Sequence, residues 1–135
     1  MKKHILRIFK AGAHRDSNGH ERIFTRDDLR VIAGLYNPDF SEAPLVIGHP
    51  IANSPTYGRV RGLRVSGDIL EAVVDGVAPQ FADSVNAGRY KKISASFFPP
   101  DHNLNPSPGA YYAAACRFFG GLPSRHQGIA ERQFP

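Results

Sequence analysis

The stretch RYKKISASFFPP, residues 89–100, is the part of the sequence around which the rest of the fold is predicted. Residues 93–98 have the character of a β-strand, in which successive side chains point to opposite faces of the sheet. One face is apolar, and the other carries Ser94, Ser96 and Phe98. The two prolines that follow end the strand because proline has no N–H to donate. The pattern therefore places two serine hydroxyls on one face of a strand, where either is a candidate nucleophile.

Length and composition indicate one globular domain. The chain has 135 residues, of which 41% are hydrophobic and 21% charged, as expected for a globular rather than a disordered protein. No apolar run approaches the roughly 18 residues that a membrane span needs. Arg7 and Lys10 interrupt the apolar N-terminus, which makes it a poor signal peptide. The single cysteine, Cys116, excludes an internal disulfide and fits a reducing compartment.

The net charge of +5 favours acidic partners, including nucleic acid. However, the lysines and arginines are scattered along the chain and do not form a stripe. The sequence contains no nucleic-acid-binding signature, no zinc-ligand spacing and no phosphate-binding loop. We therefore predict no metal and no cofactor, and we regard a nucleic-acid partner as the weaker interpretation of the charge.

Periodicity and turn residues predict the remaining elements. Thr25 is the expected N-cap of a helix, with Asp28 in the capping-box position. Residues 11–21 are rich in glycine and polar residues and are interpreted as a loop. The predicted helices are residues 26–36 and 79–86, and the other predicted strands are residues 4–10, 43–47, 57–65, 68–75 and 111–119.

A histidine follows one of these strands. The strand at residues 43–47 ends at the sequence Gly48-His49-Pro50. A histidine between glycine and proline is held by a constrained backbone and is expected to be reachable by solvent. Because its ordinary pKa lies near neutrality, histidine is also the side chain best suited to accept a proton from a serine hydroxyl.

Two segments, APLVIGHP at residues 43–50 and KKISASF at residues 91–97, resemble the Mu-like phage head protease, the "I protein" that joins a protease to a scaffold. Further matching pieces are Phe24-Thr25 with Asp28-Leu29, Tyr57-Gly58-Arg59-Val60, and Asn105-Pro106 with Pro108-Gly109. The resemblance covers nearly the whole chain. That family is in turn similar to the prohead proteases of tailed phages and to the herpesvirus assembly protease.

The resemblance implies a serine-protease site. Prohead proteases carry a Ser-x-Gly-Phe/Tyr pattern on the strand, and residues 94–97 fit it with Ser94 at the nucleophile. Ser96 falls where glycine often sits, and it stays open as the alternative nucleophile. His49 falls on the general-base histidine.

The last strand departs from the family pattern. The family reads Tyr-Leu-Arg-His-Val-Gly-Phe-Leu-Gly, whereas residues 112–120 read YAAACRFFG. The third member of the triad, which orients the base, thus falls on Ala115, and alanine cannot orient anything. Compensated frameshifts within residues 113–127 would explain the departure, because codons for Ala-Ala-Ala-Cys-Arg can spell Leu-Arg-His-Val one base later. His102 and His126 are the alternative orienting groups.

The order of elements and the resemblance together predict an α+β fold, a mainly antiparallel barrel-like sheet with a few flanking helices. Residues 1–129 are expected to form the protease domain, and residues 130–135 to begin a linker to a scaffold region. The resemblance implies a prohead maturation protease that cleaves scaffold and capsid proteins and its own C-terminal extension. Its expected partners are phage scaffold and major capsid proteins, with possible self-association and no membrane. It would act in the host cytoplasm, inside assembling proheads.

Two alternatives stay open. The chain could be a catalytically degenerate protease domain that serves as an assembly module, which Ala115 favours. It could also be a basic nucleic-acid-binding module of the capsid interior.

Overall fold

A computed structural model describes residues 3–15, 19–48, 54–120 and 128–129. These residues form strands and two helices in the order β1 (His4–Lys10), β2 (Gly12–Arg15), β3 (Glu21–Phe24), α1 (Arg26–Leu35), β4 (Leu45–Ile47), β5 (Arg59–Ser66), β6 (Ile69–Asp75), α2 (Pro79–Asn86), β7 (Lys92–Phe98), β8 (Tyr112–Phe119) and β9 (Gly128–Ile129). The predicted linker at residues 130–135 lies outside the described residues.

The described strands form three sheets, with strand orders β1-β6-β5, β2-β3 and β4-β8-β7-β9. Every pair of strands is antiparallel except β4 and β8, which are parallel. The predicted α+β class with mainly antiparallel sheet is therefore confirmed. The hydrogen-bonded ladders of the described residues do not show a closed barrel, so the barrel-like closure stays a prediction.

Most of the predicted elements are present, and one prediction is wrong. The capping box at Thr25 is formed, because Thr25 Oγ1 accepts from the N–H of Asp28 and Asp28 Oδ2 accepts from the N–H of Thr25. The segment interpreted as a polar loop, residues 11–21, instead contains β2 and the start of β3, which pair from Gly12 opposite Phe24 to Arg15 opposite Glu21. Polar residues occupy both faces of this hairpin, and the apolar Ile23 is 71% exposed, so composition alone concealed it.

The core lies between the two larger sheets, and the helices pack against it. Leu29 and Ile32 are the buried residues of α1, and Phe81 and Val85 are those of α2. Fully buried side chains from the strands complete it, among them Leu6, Ile8, Leu45, Val60, Leu70, Val74, Ile93, Tyr112 and Phe118. Burial of apolar surface on this scale is the main force that holds β7 and β8 in place beneath the site described below.

A β-bulge interrupts the pairing of β7 with β8. Ser94 lies opposite Arg117 and Ser96 opposite Ala115, but Phe97 lies opposite Ala113, which leaves Ala114 as the extra residue. Strict alternation would place position 113 on the same face as positions 115 and 117. The bulge instead puts Ala113 on the buried face, where it is 4% exposed. Positions 115 and 117 keep the face that carries the two serines.

Cys116 is enclosed at the centre of this sheet. It lies opposite Leu45 on β4 and opposite Ala95 on β7, and it has no exposed surface. Burial raises the pKa of its thiol to about 12, so the thiolate is disfavoured. Cys116 therefore serves as a small apolar side chain.

Gly58 lies where β4 approaches the C-terminal end of β6. Its φ is +156°, and a Cβ there would lie 3.3 Å from both Asp75 O and Leu45 Cδ2. We expect Gly58→Ala to lower the free energy of unfolding by about 1–3 kcal/mol, because backbone strain and steric crowding act together. Urea unfolding followed by circular dichroism measures the change.

Gly62→Ala is the matched control, because a Cβ at Gly62 has no atom within 4 Å among the described residues. It should change stability by less than about 0.5 kcal/mol, as surface substitutions usually do. Equal effects of the two substitutions would contradict the steric account of Gly58.

Candidate functional site

Ser94 lies on the half-buried face of β7, within a cleft of about 360 Å³. Its described lining consists of Phe9, His14, Arg15, Arg22, Phe24, Ser94, Ala95, Ser96, Phe97, Pro99, Tyr111 and Arg117. Among the described residues, the one hydrogen bond of Ser94 Oγ is a long contact of 3.4 Å to the carbonyl of Ala95. Because this bond is weak, the hydroxyl is free to turn toward another partner.

The β2–β3 hairpin lies over this cleft and is held there by aromatic contacts. The ring of Phe24 lies 5.1 Å from that of Tyr111 and 5.9 Å from that of Phe97. Phe9 makes an edge contact with Phe97 at 5.0 Å. Such contacts fix ring positions as well as bury area, so the hairpin forms one wall of the cleft and β7 with β8 the other.

His14 on β2 is a histidine that the structure places in the same cleft as Ser94. Its ring stacks on Phe9 with a centroid distance of 4.1 Å. Its Nε2 lies 2.6 Å from the carbonyl oxygen of Lys10, which can only accept, so Nε2 carries the proton. In the neutral ring Nδ1 is then the nitrogen able to accept a proton.

The cleft is rich in positive charge. Arg15, Arg22 and Arg117 line it, and none of its described lining residues carries a carboxylate. The guanidinium of Arg22 lies over the ring of Tyr111, 5.7 Å from the centroid. Burial lowers the pKa of the Arg117 guanidinium, which reflects the cost of holding its charge in a poorly hydrated place.

Two hydrogen-bonding atoms of the cleft residues are buried without a partner. They are Arg117 Nε and Tyr111 Oη, and neither has a hydrogen bond within the described part of the chain. A buried donor that is left unpaired costs free energy, so such atoms call for an explanation in a folded protein.

The predicted base, His49, lies outside the described residues. The residue before it is described: the N–H of Gly48 donates to the carbonyl of Phe118 at 2.9 Å, at the end of β4. In the sheet, β8 separates β4 from β7. The pairing of His49 with Ser94 therefore stays a prediction.

Position 115 faces the serines but carries only a methyl group. Ala115 lies directly opposite Ser96 and diagonal to Ser94. Diagonal neighbours on one face are about 7–8 Å apart, within reach of a long or aromatic side chain. His102, the alternative orienting group, does not line the cleft: its Nδ1 accepts from the N–H of Leu104, and its ring lies 5.0 Å from that of Phe98.

Sequence reasoning missed His14 and Arg15 because it treated residues 11–21 as a loop, and it missed Arg22 because it assigned that residue to no element. A signal was present in the sequence, because the dipeptide Asn18-Gly19 lies between residues 12–15 and residues 21–24. This dipeptide is typical of a hairpin turn. Arg117 was missed because its importance comes from its partner across the sheet, which the order of residues along one strand does not reveal.

Within the described ranges, no group of three or more histidine, cysteine, aspartate or glutamate side chains is arranged to hold a metal ion. Neither described helix is long and apolar enough to cross a membrane.

The fold is similar to that of a viral protease. The Kaposi's sarcoma-associated herpesvirus protease, in a room-temperature crystal structure with an allosteric inhibitor, aligns with a TM-score of 0.54 and 13% identity, over 95% of this chain and 75% of that one. The same protease with a hexapeptide phosphonate inhibitor aligns with a TM-score of 0.53 and 11% identity, over 93% of this chain and 62% of that one. No family model and no curated protein matches the sequence.

At these identities the likeness establishes the fold alone. The chain therefore has a herpesvirus-protease-like fold, and this agrees with the coarser part of the resemblance inferred from the sequence. The relation to the Mu-like phage family in particular is not established by these similarities.

Proposed function

We propose that the chain is a prohead maturation protease, a serine endopeptidase that cleaves scaffold and capsid proteins and its own C-terminal extension. Ser94 is the nucleophile and His49 the general base. The proposal rests above all on Ser94, whose hydroxyl lies in a cleft on a central strand of a herpesvirus-protease-like fold. The motif around Ser94 supports the same role, and phage scaffold and capsid proteins follow as partners from the resemblance.

Attack by the serine hydroxyl on a peptide carbonyl requires a base beside the serine. As Oγ forms a bond to the substrate carbonyl carbon, its proton passes to an imidazole, which returns it to the leaving amine when the C–N bond breaks. Water then hydrolyses the acyl-enzyme and regenerates the serine. Two histidines compete for this role, because His14 lines the cleft whereas His49 is the residue that the resemblance implies. We assign the role to His49, because it falls on the general-base histidine of the family that the sequence resembles, and the experiment below includes His14 as the competing base.

A serine-reactive fluorophosphonate tests the proposal on the unaltered chain. Attack by Oγ on phosphorus displaces fluoride, so an activated serine gains a permanent phosphonyl group. We expect slow labelling that mass spectrometry locates on Ser94. His49→Ala should abolish it, while His14→Ala should leave it. Labelling that survives His49→Ala but not His14→Ala would move the base to His14. No labelling of the folded chain beyond that of Ser94→Ala would overturn the proposal.

A degenerate protease domain that acts as an assembly module is the second candidate, and a specific observation favours it. Ser94 lies directly opposite Arg117, and position 115 is alanine. A guanidinium beside the serine disfavours the imidazolium that must form during attack, because the two cations repel each other. Labelling of Ser94 by the fluorophosphonate would support the active protease, and its absence would support the degenerate domain.

A further inference from the structure

Four features of the cleft beside Ser94 converge on one kind of ligand. Three arginines surround the cleft, and no carboxylate is among its described lining residues. Arg117 Nε and Tyr111 Oη are buried and lack partners within the described ranges. Aromatic rings form much of the remaining wall, which keeps the local dielectric low and strengthens any charge interaction there.

The two unpaired atoms are both donors. Arg117 Nε–H can only donate, and the hydroxyl of Tyr111 can donate to an acceptor stronger than itself. Arg22 lies over the Tyr111 ring, and this places a further cation in the same cleft. A negatively charged oxygen acceptor beside Arg117 would satisfy its Nε–H and relieve the cost of burying its charge.

We propose that this cleft binds a carboxylate of a peptide, with Arg117 as its inner donor and the exposed Arg15 and Arg22 at its mouth. The short, walled cleft does not fit a nucleic-acid backbone, which would need cations along an extended track. The carboxylate is either an acidic side chain of the substrate or the new C-terminus of a cleaved product. This inference rests on the proposed function only in calling the peptide a substrate.

The test uses Ser94→Ala in the otherwise intact chain, so that peptides are bound and not cleaved. Three short peptides serve as probes: one with an internal glutamate and an amidated C-terminus, its glutamine counterpart, and the glutamine peptide with a free C-terminus. Titrations are followed by the ¹H–¹⁵N signals of the arginine side chains, in which the Nε–H of Arg117 is a direct reporter. A short oligonucleotide is titrated as a fourth probe.

We expect at least one carboxylate peptide to bind about tenfold more tightly than the amidated glutamine peptide, and to shift the Arg117 Nε–H signal downfield. Preference for the internal glutamate identifies a side chain, and preference for the free C-terminus identifies a product. Arg117→Gln should remove the preference. Arg30→Gln should leave it unchanged, because Arg30 is an exposed residue of α1 paired with Asp27.

Equal binding of all three peptides, or preference only for the oligonucleotide, would overturn the proposal. These outcomes are independent of the fluorophosphonate result. A carboxylate preference without labelling retains the pocket and rejects the protease. Labelling without a carboxylate preference retains the protease and rejects the pocket.

Discussion

Replacing residues 113–117 of β8 by Leu-Arg-His-Val-Gly, the pattern of the Mu-like phage family that the sequence resembles, should raise the rate of self-cleavage at least about tenfold, equivalent to about 1.4 kcal/mol of activation barrier. The substitutions are Ala113→Leu, Ala114→Arg, Ala115→His, Cys116→Val and Arg117→Gly. A histidine at position 115 would orient the base, and loss of the orienting group in the well-studied Ser-His-Asp template costs about 10⁴ in turnover. The measurement is self-cleavage of the chain joined to a downstream scaffold segment, followed on gels over time beside the unaltered chain, which should cleave poorly or not at all.

The bulge in β8 complicates the full restoration and suggests a smaller one. Ala113 is 4% exposed, so leucine there would overpack the core at a cost of about 1–3 kcal/mol. The pair Ala115→His with Arg117→Gly avoids this, because both positions lie on the face of the serines. Ala114→His with Arg117→Gly is the matched control, since Ala114 has no partner on β7. If the unaltered chain already cleaves as fast as the restored one, position 115 is not the third catalytic site.

Replacement of the nucleophile should have the largest effect on the restored chain. We expect Ser94→Ala to lower self-cleavage by at least about 1,000-fold, because loss of a nucleophile elsewhere costs up to about 10⁶ in turnover. Ser96→Ala should leave most of the activity. Both serines line the cleft, but Ser94 is the one that falls at the nucleophile of the prohead-protease pattern that residues 94–97 resemble. The same gel assay measures both variants.

Each serine variant serves as the control for the other, since both remove one hydroxyl from the same strand face. Their unfolding midpoints should agree closely, which excludes a difference in folding. The opposite outcome, in which Ser96→Ala abolishes cleavage and Ser94→Ala does not, would assign the nucleophile to Ser96.

The elements that follow from local chemistry could be predicted from the sequence. The Thr25 capping box, the helix that begins with Pro79 and the strand that ends before Pro99 each depend on residues close together in the chain. The bulge at Ala114 could not be foreseen, because it depends on the registration of β8 against β7 and not on either strand alone. One extra residue was enough to move Ala113 to the opposite face from the one that strict alternation implies.

The site was predicted less completely than the fold. Ser94 lies in a cleft, as a nucleophile should, but its surroundings come from a hairpin at the other end of the chain. That His14, Arg22 and Arg117 meet there is a consequence of tertiary packing. Contacts between residues far apart in the chain leave no spacing pattern in the sequence. The motif indicated only Ser94 and His49, and His49 lies outside the described residues.

The enclosed thiol of Cys116 can report how often the sheet around it opens. A maleimide or disulfide reagent cannot reach a side chain that lies between β4 and β7 and whose thiolate is suppressed. Modification must wait until these strands part, so its rate reports how often the sheet that carries Ser94 opens. Because the sequence holds no other cysteine, this signal comes from a single known place in the fold.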